Sequence, residues 1–304
     1  MKQNKPQYRP ARIFTVAEDG FFGMYYEPSE NRFPGKGMVV CSGTDGSFLF
    51  TRLAAEMFFK AGMPVIALGY WNTEGTPDEP MNIPVEYMHN ACLWLKVHKN
   101  LHPGVWGISL GAEYGLLCGS LYEDIACVVA ASPVHAVTQT GSFKGGLHFA
   151  TGSPFSLAGK PLPYTGADGK EKQYLKQMKR NFLKRLEPDM LFYYEEILKQ
   201  AHDPAADIAV EKINGPVLLI SGASDVMVPA AWVGAQVMKR LDEHNFSHPH
   251  IHKNYQPLSH YACMFRPLTS SMFRVERKYR RACDENRRDS WEFTLSFLQD
   301  SWQV

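Results

Sequence analysis

Val105-Trp106-Gly107-Ile108-Ser109-Leu110-Gly111-Ala112-Glu113 sets a serine in a Gly-x-Ser-x-Gly frame between a strand-like run and a helix-like run. This is the sequence form of a nucleophile elbow, a sharp strand-to-helix turn that lifts the serine hydroxyl into a cleft. Strand and helix come so close there that side chains two residues either side of the serine would collide, which accounts for Gly107 and Gly111. The following helix begins with free amides, and the amide of Leu110 points where negative charge develops on an attacked carbonyl. Ser109 is therefore the candidate nucleophile and Leu110 a candidate oxyanion donor. Five residues with three fixed positions also arise by chance, so the surroundings decide.

Upstream, Gly37 to Cys41 reads as a buried strand, Ser42 to Ser47 as a glycine-bearing loop and Phe48 to Ala61 as a helix. Pro64 to Leu68 reads as the next strand, Asn72 to Pro84 as a loop, and Val85 to Lys99 as a helix whose Val85, Met88, Cys92 and Leu95 share one face. Downstream come a strand over Ile125 to Ala131 and a second at Pro216 to Gly222. A helix over Ala230 to Glu243 and a strand over Ile251 to Tyr255 follow. Short apolar strands alternating with helices predict a parallel sheet covered on both faces. Residues 11 to 28 read as a hairpin turning at Glu18-Asp19-Gly20. The stretch from Ser132 to Asn214 breaks the rhythm and is too long for a simple loop. With helices expected at Glu171 to Leu186 and Pro188 to Ala201, it reads as a cap over the site.

A serine hydroxyl is a weak nucleophile until a base takes its proton and a carboxylate fixes the base's tautomer. Ser109, Asp225 and His260 each follow a separate predicted strand, in the chain order serine, acid, histidine that α/β-hydrolases use. Asp225 competes with a plain helix-capping role near Pro229. His260, among the eleven histidines, is the one placed in a loop after the last strand. Thr44, in the small-residue loop after the third strand, is the candidate second oxyanion amide, with Asp45 the alternative donor and a candidate pocket residue. Trp71 and Asn72, after the fourth strand, and Tyr261 are further candidate pocket residues, with core packing or loop anchoring the alternative for Trp71 and Asn72. Glu113, one helical turn beyond the serine, is expected to make a buried structural hydrogen bond.

These residues also carry a resemblance. Gly43-Thr44-Asp45-Gly46, Val65 to Tyr70, Gly107-Ile108-Ser109 with Gly111-Ala112-Glu113, Gly159-Lys160-Pro161-Leu162-Pro163 and Ser259-His260-Tyr261 resemble the C-terminal catalytic domain of the acyl-CoA thioesterase and bile acid-CoA:amino acid N-acyltransferase family. The resemblance implies an α/β-hydrolase fold: a mostly parallel eight-stranded sheet with helices on both faces, one domain over 1–304 and a cap insertion at 135–212. It also implies a serine hydrolase that cleaves an acyl thioester or ester through Ser109, His260 and Asp225. Animal members place a β-sandwich ahead of the catalytic domain, whereas about 35 residues precede the third predicted strand here. Amino-acid-conjugating members carry cysteine where this chain has Ser109, which favours hydrolysis over transfer. A carboxylesterase or amidase of the dienelactone-hydrolase type on small metabolites, and an acyltransferase with a non-water acceptor, are the alternatives.

The 304 residues, 45% of them hydrophobic, suffice for a full core. With 32 basic and 31 acidic residues the net charge is +1, so no nucleic-acid partner is expected. Met1 to Pro6 lack the apolar core of a leader, and no apolar run nears the ~18 residues that span a bilayer. A soluble cytoplasmic protein with no membrane partner is expected. Its partner is a small-molecule acyl substrate, a CoA thioester among the candidates, and a homo-oligomer stays open. No cofactor and no metal are expected. The six cysteines show no Cys-x-x-Cys spacing and read as reduced, mostly buried thiols.

Two patterns invite more than they carry. His248, His250 and His252 alternate as on one strand face, but Pro249 interrupts them and no acidic or thiol ligand is near in sequence, so a solvated edge is the reading. Lys172, Lys176, Arg180 and Lys184 recur every four residues along the expected cap helix. That stripe is read as ordinary solvation, with contacts to CoA phosphates or an anionic acid as the alternative. The basic cluster from Arg274 to Arg288 is interleaved with acids and is also read as solvated.

Overall fold

Eight strands lie side by side in one sheet: β1 (Arg12–Phe14), β2 (Phe22–Tyr26), β3 (Lys36–Cys41), β4 (Val65–Gly69), β5 (His102–Ile108), β6 (Val128–Ala131), β7 (Val217–Gly222) and β8 (His250–Tyr255). The computed structural model describes residues 8–142, 146–166 and 169–303, so Met1 to Pro6 and their reading lie outside the described residues. The spatial order is β1-β2-β4-β3-β5-β6-β7-β8. All neighbours from β4 to β8 are parallel, while β2 runs antiparallel to both β1 and β4. The chain leaves β3 toward β4 and returns across it to β5. The carboxyl ends of β3 and β5 thus flank the crevice where such sheets bind ligands.

Strands β3, β4 and β7 are buried at every residue, which explains their unbroken apolar runs. Successive side chains still divide between the two faces. Val39, Ile66 and Leu219 enter one apolar cluster, and Met38, Val40, Val65 and Leu218 enter the other. Each such fully buried aliphatic side chain contributes roughly 1.5–3 kcal/mol. The long helices are α1 (Phe48–Lys60), α2 (Glu86–Lys99), α3 (Leu110–Leu121), α4 (Glu171–Arg185), α5 (Ala230–Glu243) and α6 (Arg280–Asp300). Met88 and Leu95 of α2, Leu116 of α3 and Val233 of α5 pack on the first cluster; Phe58 of α1 and Phe297 of α6 pack on the second. Helices therefore cover both faces, as the sequence predicts. All six cysteines are free and buried.

Three expectations need correction. The hairpin exists, but Val16–Asp19 forms a turn of helix between its strands: Thr15 Oγ1 accepts from the Glu18 amide, and Gly20 closes the turn at φ 74°. The strand expected from Ile125 begins only at Val128, because Ile125 closes a turn onto the Tyr122 carbonyl. The helix expected over Pro188 to Ala201 is shorter, running from Leu191–Glu195 into a wide turn at Glu196–Gln200. Its start is delayed because the Met190 amide donates to the Val226 carbonyl and Asp189 accepts from the Leu191 amide.

Between β6 and β7 the chain forms small pieces. Gly141–Ser142 pairs with His148–Phe149, and Phe155–Leu157 pairs with Lys160–Pro161 on one side and Ile83–Pro84 on the other. Helix α4 follows, with Leu175 and Met178 turned toward the first cluster.

Candidate active site

Ser109 stands at the β5–α3 junction with φ 58° and ψ −122°, a left-handed backbone that a non-glycine residue holds only under constraint. The constraint is visible. Its amide donates to the Ala131 carbonyl at 2.9 Å, and its carbonyl accepts from the amides of Ala112 and Glu113 at 2.9 and 3.0 Å. A Cβ on Gly107 would sit 2.0 Å from the Gly111 carbonyl oxygen, and one on Gly111 would sit 2.3 Å from that of Ser42. Only hydrogen fits at either place, as the elbow requires.

His260 lies in the loop after β8, and its Nδ1–H donates to Asp225 Oδ2 at 2.8 Å. The Asp225 side chain is 1% exposed and the His260 side chain 6%. Asp225 Oδ1 accepts from the amides of Met227 and Val228 at 2.8 and 3.1 Å, so both carboxylate oxygens are satisfied. A buried carboxylate so held keeps the imidazole in the tautomer with its other nitrogen free. Ser109 and His260 line the same cavity. Among the described hydrogen bonds, none joins Ser109 Oγ to His260.

The loop after β3 faces the elbow. Gly43 approaches so closely that a Cβ there would lie 3.0 Å from Ser109 Cβ, and Thr44 and Asp45 line the cavity beside it. Burial of its carboxyl raises Asp45 to about 6, although the residue as a whole keeps an exposed face. Tyr261 also lines the cavity, its hydroxyl 2.6 Å from Thr269 Oγ1. Trp71 and Asn72 do not line it. The Trp71 ring packs against Gly46, and Asn72 Nδ2 donates to the Gly46 carbonyl at 3.2 Å. They brace the Thr44 loop from behind.

The cavity has a volume of about 790 Å³, in the range of pockets for small organic ligands. Its body-side wall holds Gly43, Ser109, Met227 and His260. The opposite wall comes from the segment between β6 and β7, with Phe149, Leu175, Met178, Phe182 and Tyr194. Glu113, 1% exposed, ties the two together: its Oε1 accepts from the Thr138 amide at 2.9 Å and its Oε2 pairs with Thr138 Oγ1 at 2.8 Å. Burial raises its carboxyl to about 8. Glu113 thus holds the structural hydrogen bonds expected of it.

The histidines of β8 are occupied, His250 by Asp242 at 2.9 Å and His252 by Ser221 Oγ at 2.7 Å. Among the described residues one other group has metal-ligand spacing: His135, His202 and Asp207, with ligand atoms within 4.8 Å of one another. Asp207 is shared by His202 at 2.8 Å and the Arg240 guanidinium at 3.5 Å, so its negative charge is already met.

Sequence reasoning missed what holds His260 in place. Ser132 Oγ donates to the His260 carbonyl at 2.7 Å, Ser259 Oγ donates to Glu276 Oε1 at 2.7 Å, and Arg287 Nε donates to the Tyr261 carbonyl at 3.2 Å. Arg287 and Glu276 form an ion pair with side chains 3% and 2% exposed. Arg287 belongs to the cluster read as solvated, and that reading is corrected: one of its arginines is buried under the histidine loop. No spacing in the sequence marks it out.

Residues 83–263 match the family described as BAAT / Acyl-CoA thioester hydrolase C terminal. Mouse mitochondrial acyl-coenzyme A thioesterase 2 is 27% identical over 75% of this chain and 45% of its own length. Mouse peroxisomal succinyl-coenzyme A thioesterase is 25% identical over 78% of this chain and 51% of its own, and mouse acyl-coenzyme A amino acid N-acyltransferase 2 is 24% identical over 74% and 48%. The chain spans about half the length of these relatives. In solved structures the fold is similar to a Mycobacterium tuberculosis puromycin-hydrolysing peptidase, with TM-score 0.58 and 13% identity over 97% of this chain and 40% of that one. It is also similar to the α/β hydrolase GrgF of a Penicillium species, with TM-score 0.52 and 17% identity over 96% and 98%.

Proposed function

Because this chain belongs to the BAAT / acyl-CoA thioester hydrolase C-terminal family, we propose that it hydrolyses an acyl-CoA thioester through a serine acyl-enzyme. Ser109 is the nucleophile, His260 the base and Asp225 the group that orients the imidazole. The segment over 135–212 is a cap that supplies the acyl-binding wall. The observation that carries this reading is the buried His260–Asp225 pair opening onto the cavity that the constrained Ser109 also faces.

In the proposed reaction His260 Nε2 takes the Ser109 proton as Oγ adds to the thioester carbonyl. The resulting oxyanion is held by the Leu110 amide at the start of α3 and the Thr44 amide across the cleft. Asp225 stabilises the imidazolium, which then protonates the departing thiolate sulfur. Water, deprotonated by the same imidazole, releases the acid and restores Ser109. Each oxyanion donor is worth about 3 kcal/mol of transition-state stabilisation, roughly a hundredfold in rate.

The test compares a panel of acyl-CoAs, aryl esters and amides, with and without added glycine, against Ser109→Ala. Thioester cleavage that falls by at least about a thousandfold in the variant, with an unchanged melting curve, supports the reading. Retained cleavage in the variant overturns it, and amide product formed with glycine would move the chain to acyl transfer.

A further inference from the structure

The cavity's apolar wall continues onto the outer surface. Phe182, Leu183, Leu186, Leu268 and Met272 are between 43% and 78% exposed. Phe182, Leu183 and Met272 also line the cavity, while Leu186 ends α4 and Leu268 opens the turn Leu268–Met272. Single exposed leucines need no explanation, but a group of them around one cavity mouth marks an interaction surface.

The charge around that mouth indicates the partner. Helix α4 carries Lys172, Lys176, Lys179, Arg180, Lys184 and Arg185 against Glu171 alone; of these Arg185 is paired with Asp189 of the cavity wall. At about 100° per residue, Lys172, Lys176 and Lys179 fall within about 40° of Leu183 and about 80° of Leu186, so these cations and exposed apolar groups share one side of the helix, with Arg180 on its flank. Free CoA phosphates would account for the cations but leave the leucines in water. A second copy docking by a two-fold axis would set these cations against themselves. A lipid surface with anionic headgroups meets both demands, taking the leucines into the acyl boundary and the cations onto phosphates.

We propose that α4 and the turn Leu268–Met272 form a docking surface for an anionic lipid membrane, which sets the mouth of the cavity against the bilayer. Docking of this kind needs no spanning helix, and none of the described helices is long and apolar enough to span. It goes beyond the hydrolytic reading and is measured without turnover.

The experiment is co-sedimentation with phosphatidylcholine vesicles, alone or with phosphatidylglycerol, at low and high salt. The wild type and Ser109→Ala pellet equally with the anionic vesicles, at least about tenfold more than with phosphatidylcholine alone, and high salt releases them. Leu186→Glu/Leu268→Glu and Lys176→Glu/Arg180→Glu use residues outside the cavity lining. Each weakens pelleting by about tenfold or more with the melting curve unchanged. Equal pelleting with both vesicle types, or double variants that bind like the wild type, overturns the proposal. So does a dimer in sedimentation velocity that Leu186→Glu/Leu268→Glu separates, since a second copy would then occupy the surface.

Discussion

The rim of the sheet and the segment facing it across the cavity are built on opposite plans. At the rim, Ser109, Asp225 and His260 sit on turns where every backbone approach is fixed by a neighbour: Gly107 against Gly111, Gly222 against the Ser259 carbonyl, Asp225 against two amides. Across the cavity, strand pieces of two residues and the half-exposed α4 present a wall of flexible Met, Leu and Phe side chains. A reacting centre tolerates errors of about half an ångström, whereas an acyl chain needs only apolar volume. On this reading the rim sets whether the reaction happens, and the wall sets which chain is accepted.

Asp225→Asn tests the rim half with the largest expected effect. Asparagine can still accept from the Met227 and Val228 amides, so the turn survives, but it cannot stabilise an imidazolium. We expect kcat to fall at least about a hundredfold for every substrate, with the order of preference among acyl chains unchanged. A change in preference instead, with kcat within about fivefold, would break the division between the two regions.

Met178→Ala tests the wall. Truncating a side chain that lines the cavity removes roughly 1.5 kcal/mol of apolar contact. The KM for long acyl chains should rise about tenfold, while kcat for an acetyl ester stays within about threefold. Steady-state kinetics across a chain-length series checks this, and an equal loss for acetyl and long chains would place Met178 in the chemistry.

The two regions also differed in how readily they could be read. The order of strands and helices and the residues at their carboxyl ends were legible because each buried strand is a short apolar run and each glycine of the elbow has a steric cause. Helix α6 was not. Its buried positions Cys283, Arg287, Ser290, Thr294, Phe297 and Leu298 keep helical spacing, but half are polar, so the period does not show as hydrophobicity. Arg287 is among them, and its role under the His260 loop depends on Glu276, a partner brought near only by the fold. In the segment between β6 and β7 the helix start at Leu191 turned on the Met190–Val226 hydrogen bond, a tertiary contact with no local signature. For Trp71 and Asn72 the sequence left pocket lining and loop anchoring open, and they anchor the Thr44 loop, since adjacency to a site does not say which side a ring faces.

Glu113 is where the two regions meet, and replacing it gives the smallest expected effect. Its pKa is raised from 4.5 to about 8 by burial, so the folded state keeps a proton that the unfolded chain releases above about pH 4.5. The favourable contribution of that proton is full below pH 4.5 and shrinks as pH rises toward 8, where the carboxylate is forced to ionise in a buried site. Glutamine keeps the acceptor for the Thr138 amide and can donate to Thr138 Oγ1 at every pH. Glu113→Gln should therefore melt close to the wild type near pH 5 and roughly 2–5 °C above it near pH 9. Calorimetric melting curves that run parallel across this interval would show that Glu113 is ionised throughout, and that the link between α3 and Thr138 is a charged one.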